Sequence, residues 1–307
     1  MTPAASHVRL SDASLEALAV ELAAAPAPPA WGWPHLTAAE VGAEAAASWT
    51  LLLSALNFCF WQDEPRWRVS GFDGYMALAH ALRRAWDGGD ARVADPAAWA
   101  SWSVADLAAV LRGDPGGPAA PPMLAERHAV AAELGGWLHD AFDGSGLAAA
   151  GAAGSAFEFA QTLASTLRLF RDVAEYRGRR VPLLKRAQIA AHDCGAALGG
   201  SCPPGLRDRS GLTAFADYKL PQVLRAAGAF EYSPTLAATV DARVELAPGG
   251  EDEVEIRCAT VVAVDRLVTL LHTAGRDLDA PEVDALLWWR GQGLRARPYH
   301  RVRTIWY

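Results

Sequence analysis

Apolar residues recur at helical spacing along most of the chain. This periodicity predicts helices over residues 10–23, 37–56, 75–86, 124–142, 157–170, 183–198 and 281–289, with further helices after Ser103, after Pro221 and around residues 264–271. Shorter alternating patterns at residues 66–69 and 243–246 predict strands. Residues 253–257 fit either a strand or the acidic first turn of a helix, and periodicity does not decide between the two. We therefore expect a mainly α fold with a few short strands.

Capping and turn-forming residues predict where several helices begin and end. Thr37 and Glu40 have the spacing of a capping box, and Pro182 has the position of a proline that begins the helix over residues 183–198. The Gly/Ala/Ser tract at residues 144–155 fits either a flexible insertion or an alanine-rich helix. The 307 residues can form a single domain over residues 1–307, and the alternative is two packed helical lobes divided near residues 144–155.

The segment at residues 213–225 combines an acid, a cation and two aromatic rings just before a predicted helix. Phe215, Asp217 and Lys219 alternate with their neighbours, so an extended backbone would project all three from one side. At the mouth of a pocket they would offer a flat substrate a ring, a carboxylate and a cation. Asp217 is therefore the first candidate for chemistry. The alternative is an ordinary junction in which Asp217 is a solvated helix cap.

The chain uses lysine very sparingly. Of its 28 Lys and Arg residues only Lys185 and Lys219 are lysines, in a composition rich in Ala, Arg, Gly and Pro. A lysine retained in such a background points to a need for a compact charge that can lose its proton, and the alternative is that the two lysines remain by chance. Lys185 lies in the first turn of a predicted helix, where cations oppose the macrodipole unless an anion is bound between them and the helix N–H groups. The alternative is a solvated basic turn paired with nearby acids.

Two further segments carry candidate ligand contacts. His35 lies just before the predicted helix at residues 37–56, where a ligand could reach it; the alternative is a histidine that only orients the turn. Asp284 and Trp288 are four residues apart on one predicted helix, so they share a face and would be buried together. A buried carboxylate needs partners.

Charge and cysteine usage exclude several classes of protein. A net charge of −7 argues against a long nucleic acid as the main partner, although a small anionic ligand in a local basic pocket is permitted. The cysteines form no C-x-x-C pair, and the histidines show no short paired spacing, so we expect no metal site and no cofactor. We see no signal peptide and no apolar run of the roughly 18 residues that a membrane span needs. The expected location is the cytoplasm.

Five ordered motifs give the chain a family resemblance from about Trp31 to Tyr307. They are Asn57-Phe-Cys-Phe-Trp61, Tyr176-Arg-Gly-Arg-Arg-Val181 with Lys185-Arg-Ala-Gln188, Phe215-Ala-Asp-Tyr-Lys-Leu-Pro-Gln222, Glu253-Val-Glu-Ile-Arg257 and Pro298-Tyr-His-Arg301. Together they resemble the queuosine salvage protein family. The resemblance implies an enzyme that hydrolyses the N-glycosidic bond of queuosine 5′-phosphate and releases queuine, on a helical fold similar to that of helix-hairpin-helix DNA glycosylases.

The resemblance also implies roles for individual residues. Asp217 would be the catalytic carboxylate, Phe215 would line the base, and His35 and Asp284 would contact queuine. By residue type, Lys185 and Lys219 are our own candidates for the phosphate end, and Trp288 is a candidate for substrate contact. Trp289 is a departure, since the family often has an acid directly after the tryptophan of this motif. The alternatives are a glycosylase acting on DNA or RNA and a non-catalytic protein that binds queuine or a nucleotide.

Overall fold

The computed structural model describes residues 5–294 and 297–307, and within these ranges the protein is mainly helical. The helices are α1 (Asp12–Ala24), α2 (Ala38–Val41), α3 (Ala43–Ala55), α4 (Gly74–Asp87), α5 (Pro96–Ser101), α6 (Val104–Val110), α7 (Leu124–Phe142), α8 (Gly146–Gly151), α9 (Ala156–Thr166), α10 (Lys185–Leu198), α11 (Pro204–Arg207), α12 (Lys219–Ala226), α13 (Pro234–Asp241), α14 (Glu251–Thr273) and α15 (Ala280–Gly291). None of these helices combines the length and apolar character needed to cross a lipid bilayer.

The strands are short and pair as antiparallel ribbons. They are β1 (Val8–Leu10) with β6 (Phe230–Tyr232), β2 (Arg68–Val69) with β3 (Phe72–Asp73), and β4 (Val173–Tyr176) with β5 (Arg179–Pro182). The predicted fold class, mainly α with a few short strands, is confirmed. The β1–β6 pair joins the N-terminal segment to the segment that follows α12.

Most helices predicted from periodicity are present. Helix α7 has the predicted bounds, and α6 begins with a capping box between Ser103 and Asp106. Residues 253–257 belong to α14 and are helical. The tract at residues 144–155 contains α8 with buried Ala149 and Ala150, so the alanine-rich helix is correct and the flexible insertion is wrong.

Three local predictions are wrong. The helix over residues 37–56 is interrupted at Gly42, whose φ of 86° ends α2 before α3 begins, and the Thr37 side chain makes no capping bond. Pro182 ends β5, and α10 begins only at Lys185, after Leu184 adopts a left-handed conformation. The predicted strand at residues 243–246 is reduced to an isolated bridge between Glu245 and Arg301.

Buried apolar residues form two clusters. The first is built by helices between α2 and α11 and includes Leu52, Leu134 and Leu163. The second is built by α1 and the helices after residue 213 and includes Leu224 and Leu267. The clusters therefore separate near residues 212–214, and the 144–155 tract lies within the first one.

A buried ion pair connects the two clusters. The Arg257 guanidinium on α14 donates to both oxygens of Asp172, with Nη1–Oδ1 at 2.9 Å and Nη2–Oδ2 at 2.6 Å. Asp172 also accepts from the Lys185 backbone N–H, and Arg257 Nε donates to the Ala216 carbonyl at 3.0 Å. The Arg257 guanidinium lies over the Tyr307 ring, 4.4 Å from its centroid. The pair thus ties together the first residue of α10, helix α14, the C-terminal residue and the segment before α12.

We predict that Asp172→Asn lowers the free energy of unfolding by about 3–5 kcal/mol, because it leaves the buried Arg257 charge without its bidentate partner. Equilibrium urea unfolding measures the loss. A matched control is Arg266→Gln, which removes an exposed ion pair between the same helix and Asp12 and should cost less than about 1 kcal/mol. Equal costs for the two variants would contradict a special role for the buried pair.

Candidate active site

A cavity of about 580 Å³ is lined by residues of both apolar clusters, among them Phe60 from the first and Tyr307 from the second. A volume of this size suits a small organic ligand. All seven site residues predicted from the sequence line it, namely His35, Lys185, Phe215, Asp217, Lys219, Asp284 and Trp288. The structure therefore brings together segments that are up to about 250 residues apart in the chain.

Asp217 is both a helix cap and a cavity residue. Its Oδ1 accepts hydrogen bonds from the backbone N–H groups of Lys219 at 2.7 Å and Leu220 at 3.2 Å, at the start of α12. Its Oδ2 accepts no hydrogen bond from the residues that the structure describes. The cap fixes the orientation of the carboxylate and leaves one oxygen for a ligand.

Asp284 on α15 lies in a different environment. The side chain is buried, and its Oδ2 accepts a hydrogen bond from the Phe215 backbone N–H at 2.7 Å. Burial, followed by the nearby negative charge of Asp217, raises the pKa of Asp284 well above that of an ordinary aspartate. Asp217 and Asp284 thus line the same cavity, and the environment of Asp284 favours its protonated form.

Lys185 is buried beside these acids. Its Nζ donates to the Asn57 carbonyl at 3.2 Å, and the residue is only 3% exposed. Burial lowers its pKa to about 8, while the nearby charge of Asp217 favours the protonated form. The adjacent Arg186 is instead committed to the backbone, donating to the Ala55 carbonyl at 2.6 Å.

His35 is held by two hydrogen bonds within the protein. Its Nδ1 lies 2.9 Å from the Gly32 carbonyl, which can only accept, so Nδ1 carries the proton and Nε2 accepts from the Tyr75 hydroxyl at 2.9 Å. Burial lowers the pKa of His35, in keeping with this neutral form. Because both nitrogens are engaged, His35 orients Tyr75, whose ring meets the Trp288 ring edge-on with centroids 5.8 Å apart.

Lys219 lines the cavity, but its ammonium group is bonded to the protein. Its Nζ donates to the Gly291 carbonyl at 3.0 Å, at the C-terminal end of α15, and to Gln222 Oε1 at 3.2 Å. A cation at this end of a helix is favoured by the macrodipole. Lys219 therefore connects α12 to α15 and so helps to fix the cavity wall that carries Asp284.

Several cavity residues are not predicted by the sequence patterns. Helix α10 presents Lys185, Ile189, His192 and Asp193 to the cavity, at the i, i+4, i+7 and i+8 spacing of one helix face. Extending that spacing from Lys185 would have predicted His192 and Asp193, whose Nδ1 and Oδ1 lie 2.9 Å apart. Tyr75 has no such signal, since its partner His35 is 40 residues away.

The cavity lining is more basic than the chain as a whole. The described residues that line it include six cationic side chains, Arg66, Lys185, Lys219, Arg243, Arg297 and Arg301, and four aspartates, Asp73, Asp193, Asp217 and Asp284. The whole chain carries a net charge of −7. The local excess of positive charge favours an anionic ligand.

One group of potential metal ligands lies outside the cavity. It comprises His7, Glu251 and Glu255. The Glu255 carboxylate already accepts hydrogen bonds from the Tyr176 hydroxyl and from the backbone N–H groups of residues 6–8. These bonds explain the position of Glu255 without a metal ion.

Comparison with known proteins identifies the family. The family model described as queuosine salvage protein matches residues 36–307. Proteins named queuosine 5′-phosphate N-glycosylase/hydrolase are similar over most of their length. The relative from Sphaerobacter thermophilus is 42% identical over 87% of this chain and 83% of its own, and that from Mus musculus is 33% identical over 86% and 82%. The relative from Dictyostelium discoideum is 33% identical over 86% of this chain and 79% of its own. The chain belongs to the queuosine salvage protein family.

Proposed function

We propose that this protein hydrolyses the N-glycosidic bond of queuosine 5′-phosphate and releases queuine and ribose 5-phosphate. The family membership and the names of its relatives support this reaction. The structural observation that carries it is the Asp217 carboxylate, which is fixed by the N-terminus of α12 and has one oxygen free of bonds to described residues. The cavity around it has the size and the positive charge that suit a nucleotide.

Asp217 is the residue we assign to the sugar. As the glycosidic bond breaks, the sugar takes on the character of an oxocarbenium ion, and a carboxylate below the anomeric carbon stabilises that charge or captures it. Water supplies the hydroxyl group that ends on the sugar, and its proton ends on the departing base. The bonds to the backbone N–H groups of Lys219 and Leu220 hold the carboxylate in place before the substrate arrives.

Asp284 is the residue we assign to the base. Queuine is a 7-deazaguanine. It lacks the ring nitrogen that purine glycosylases often protonate, so the departure of the base must be assisted at other edges of its ring. Since burial raises the pKa of Asp284, its carboxyl group can donate a proton in a hydrogen bond to the base as negative charge develops there. Phe215, fixed by Asp284, and Trp288 with Tyr75 supply the aromatic surfaces for stacking, worth roughly 1–3 kcal/mol per base in nucleic-acid sites.

The sequence suggested Lys185 as a ligand of the phosphate. Its surroundings suit the sugar and the base better. Its ammonium group is buried, and the charge of Asp217 acts on it. The Lys185 ammonium group and the Asp217 carboxylate attract each other across this part of the cavity. Lys219 is bonded to the Gly291 carbonyl, and we assign it the role of fixing α15 against α12.

Four further expectations from the sequence remain predictions. They are the likeness to helix-hairpin-helix DNA glycosylases, the single domain over residues 1–307, the location in the cytoplasm, and a small molecule instead of a long nucleic acid as partner. A superposition on solved glycosylase structures tests the first. Activity on the mononucleotide with none on queuosine-containing oligonucleotides tests the last.

We expect Asp217→Asn to reduce queuine release by at least about 100-fold while the protein stays folded and binds the nucleotide. Asparagine is as good a helix cap as aspartate, so the change removes the charge and keeps the capping bond. Mass spectrometry measures queuine after single-turnover incubation with queuosine 5′-phosphate, and equilibrium dialysis measures binding.

The matched control is Asp95→Asn, which changes an aspartate that caps α5 outside the cavity and should leave the rate unchanged. Turnover by Asp217→Asn at the wild-type rate would remove Asp217 from the catalytic role. Wild-type protein that returns the nucleotide intact would instead indicate a binding protein without this activity.

We also expect kcat/KM to fall as the pH rises through about 8, because the Lys185 ammonium group, whose pKa is lowered to about 8, is charged below this pH and neutral above it. Lys185→Arg keeps the charge to much higher pH and should move this decline upward, whatever its effect on the maximal rate. Ionisation of the substrate affects both enzymes equally. An alkaline decline at the same pH in both proteins would exclude Lys185 as its origin.

A further inference from the structure

The segment at residues 213–217 brings Phe215 and Asp217 to the cavity without forming a helix or a strand. A buried backbone of this kind needs hydrogen-bond partners from other parts of the chain. Asp284 on α15 accepts from the Phe215 N–H, and Arg257 on α14 donates to the carbonyl of the next residue. Two buried side chains from different helices therefore hold the middle of the segment.

Gln188 on α10 holds the start of the same segment through both ends of its amide group. Its Oε1 accepts from the Thr213 backbone N–H at 2.8 Å, and its Nε2 lies 3.1 Å from Thr213 Oγ1 and 2.9 Å from the Leu183 carbonyl. The backbone N–H can only donate and the carbonyl can only accept, so these two groups fix the orientation of the amide. Gln188 is 3% exposed, and neither Gln188 nor Thr213 lines the cavity. The amide therefore acts on the segment and not on a ligand.

The amide of Gln188 has a cost that an apolar side chain would avoid, because a buried polar group must be hydrogen-bonded. An apolar residue of similar size would pack at this position but would leave the Thr213 N–H without this partner. The amide thus serves to bond residue 213 to α10. Lys185 is the first residue of α10, and Gln188 lies three residues later. One turn of helix therefore holds both Lys185 and the start of the segment that carries Asp217.

We propose that Gln188 is a positioning residue for the hydrolysis, which fixes residue 213 against α10 and thereby keeps Asp217 at the place where the sugar reacts. This inference rests on the proposed function. Gln188 acts through the backbone of the segment, since its amide bonds to Thr213 and not to Asp217. A displacement of about 1 Å at a catalytic group can cost about 100-fold in rate, even when the altered residue lies away from the chemistry.

Loss of this positioning should lower kcat more than it raises KM. The charge that Asp217 stabilises develops only as the glycosidic bond breaks, so a misplaced carboxylate weakens binding of the transition state more than binding of the substrate. The base is bound by Asp284 and Trp288 on α15 and by Tyr75 on α4, which are other elements of the fold. A residue needed only for folding would instead reduce the amount of folded protein and leave the kcat of the folded molecules unchanged.

The first test is Gln188→Met, which keeps the length of the side chain and removes its hydrogen bonds to Thr213 and Leu183. For the full-length protein acting on queuosine 5′-phosphate we expect kcat to fall by about 10- to 100-fold, with a much smaller change in KM. Mass spectrometry of queuine in single-turnover experiments measures the bond-breaking step. Urea unfolding of each variant gives the folded fraction, and rates are compared per folded molecule.

The second test is Thr213→Val, which removes the hydroxyl group and keeps the backbone N–H bond to Gln188. We expect kcat to fall by about 3- to 10-fold, the range for one neutral hydrogen bond. The double variant should be no slower than Gln188→Met alone, because the two changes remove the same contact. Thr213→Val keeps the inference testable if Gln188→Met does not fold.

The matched control is Thr260→Val, which removes a buried hydroxyl on α14 that donates to the Ile256 carbonyl of the same helix at 2.9 Å. It should leave kcat unchanged. A wild-type kcat in Gln188→Met and Thr213→Val, a loss confined to KM, or an equal loss of kcat in Thr260→Val would each overturn the positioning role. Wild-type protein that releases no queuine would instead refute the proposed function, so the two failures are distinguishable.

Discussion

The cavity depends on the bidentate ion pair between Asp172 and Arg257. The pair is desolvated on both sides, and its remaining donors and acceptors are used by backbone groups next to the site, the Lys185 N–H and the Ala216 carbonyl. These two contacts fix the residues immediately before Asp217 and at the start of α10. A shift of either partner would therefore move Lys185 relative to Asp217, and the chemistry proposed here requires that distance to be constant.

Buried cations also hold the irregular segment that forms another wall of the cavity. Between α3 and β2 the backbone runs through the first apolar cluster without regular structure, so its carbonyl groups need donors. Arg127 donates to the carbonyls of Leu56 and Phe58, and Lys185 donates to that of Asn57. Arg127 is fully buried, and burial lowers its pKa to about 10 because its charge loses contact with water. The same lysine thus supports the wall at Asn57 and approaches the carboxylates.

Local patterns predicted the parts of the protein that local forces determine. Periodicity predicted the bounds of α7, and residue chemistry placed Asp217 before α12 and singled out Lys185, because each signal lies within a few residues of sequence. The His35–Tyr75 hydrogen bond and the shared cavity lining of Arg66, Arg243 and Arg301 are set by tertiary contacts between distant segments. Such contacts leave no periodic signal in the sequence. The sequence therefore predicted which residues form the site but not how they are arranged in space.

Asp217 and Asp284 show how one residue type can assist both the sugar and the departing base in a hydrolysis. The Asp217 carboxylate accepts hydrogen bonds from two backbone N–H groups at the start of α12, which fix its orientation. Among the described residues, Asp284 accepts one N–H hydrogen bond, from Phe215, and burial followed by the charge of Asp217 raises its pKa. The ionised form of Asp217 therefore itself favours the protonated form of Asp284. This coupling gives the sugar a negative charge and the base a proton donor at the same pH.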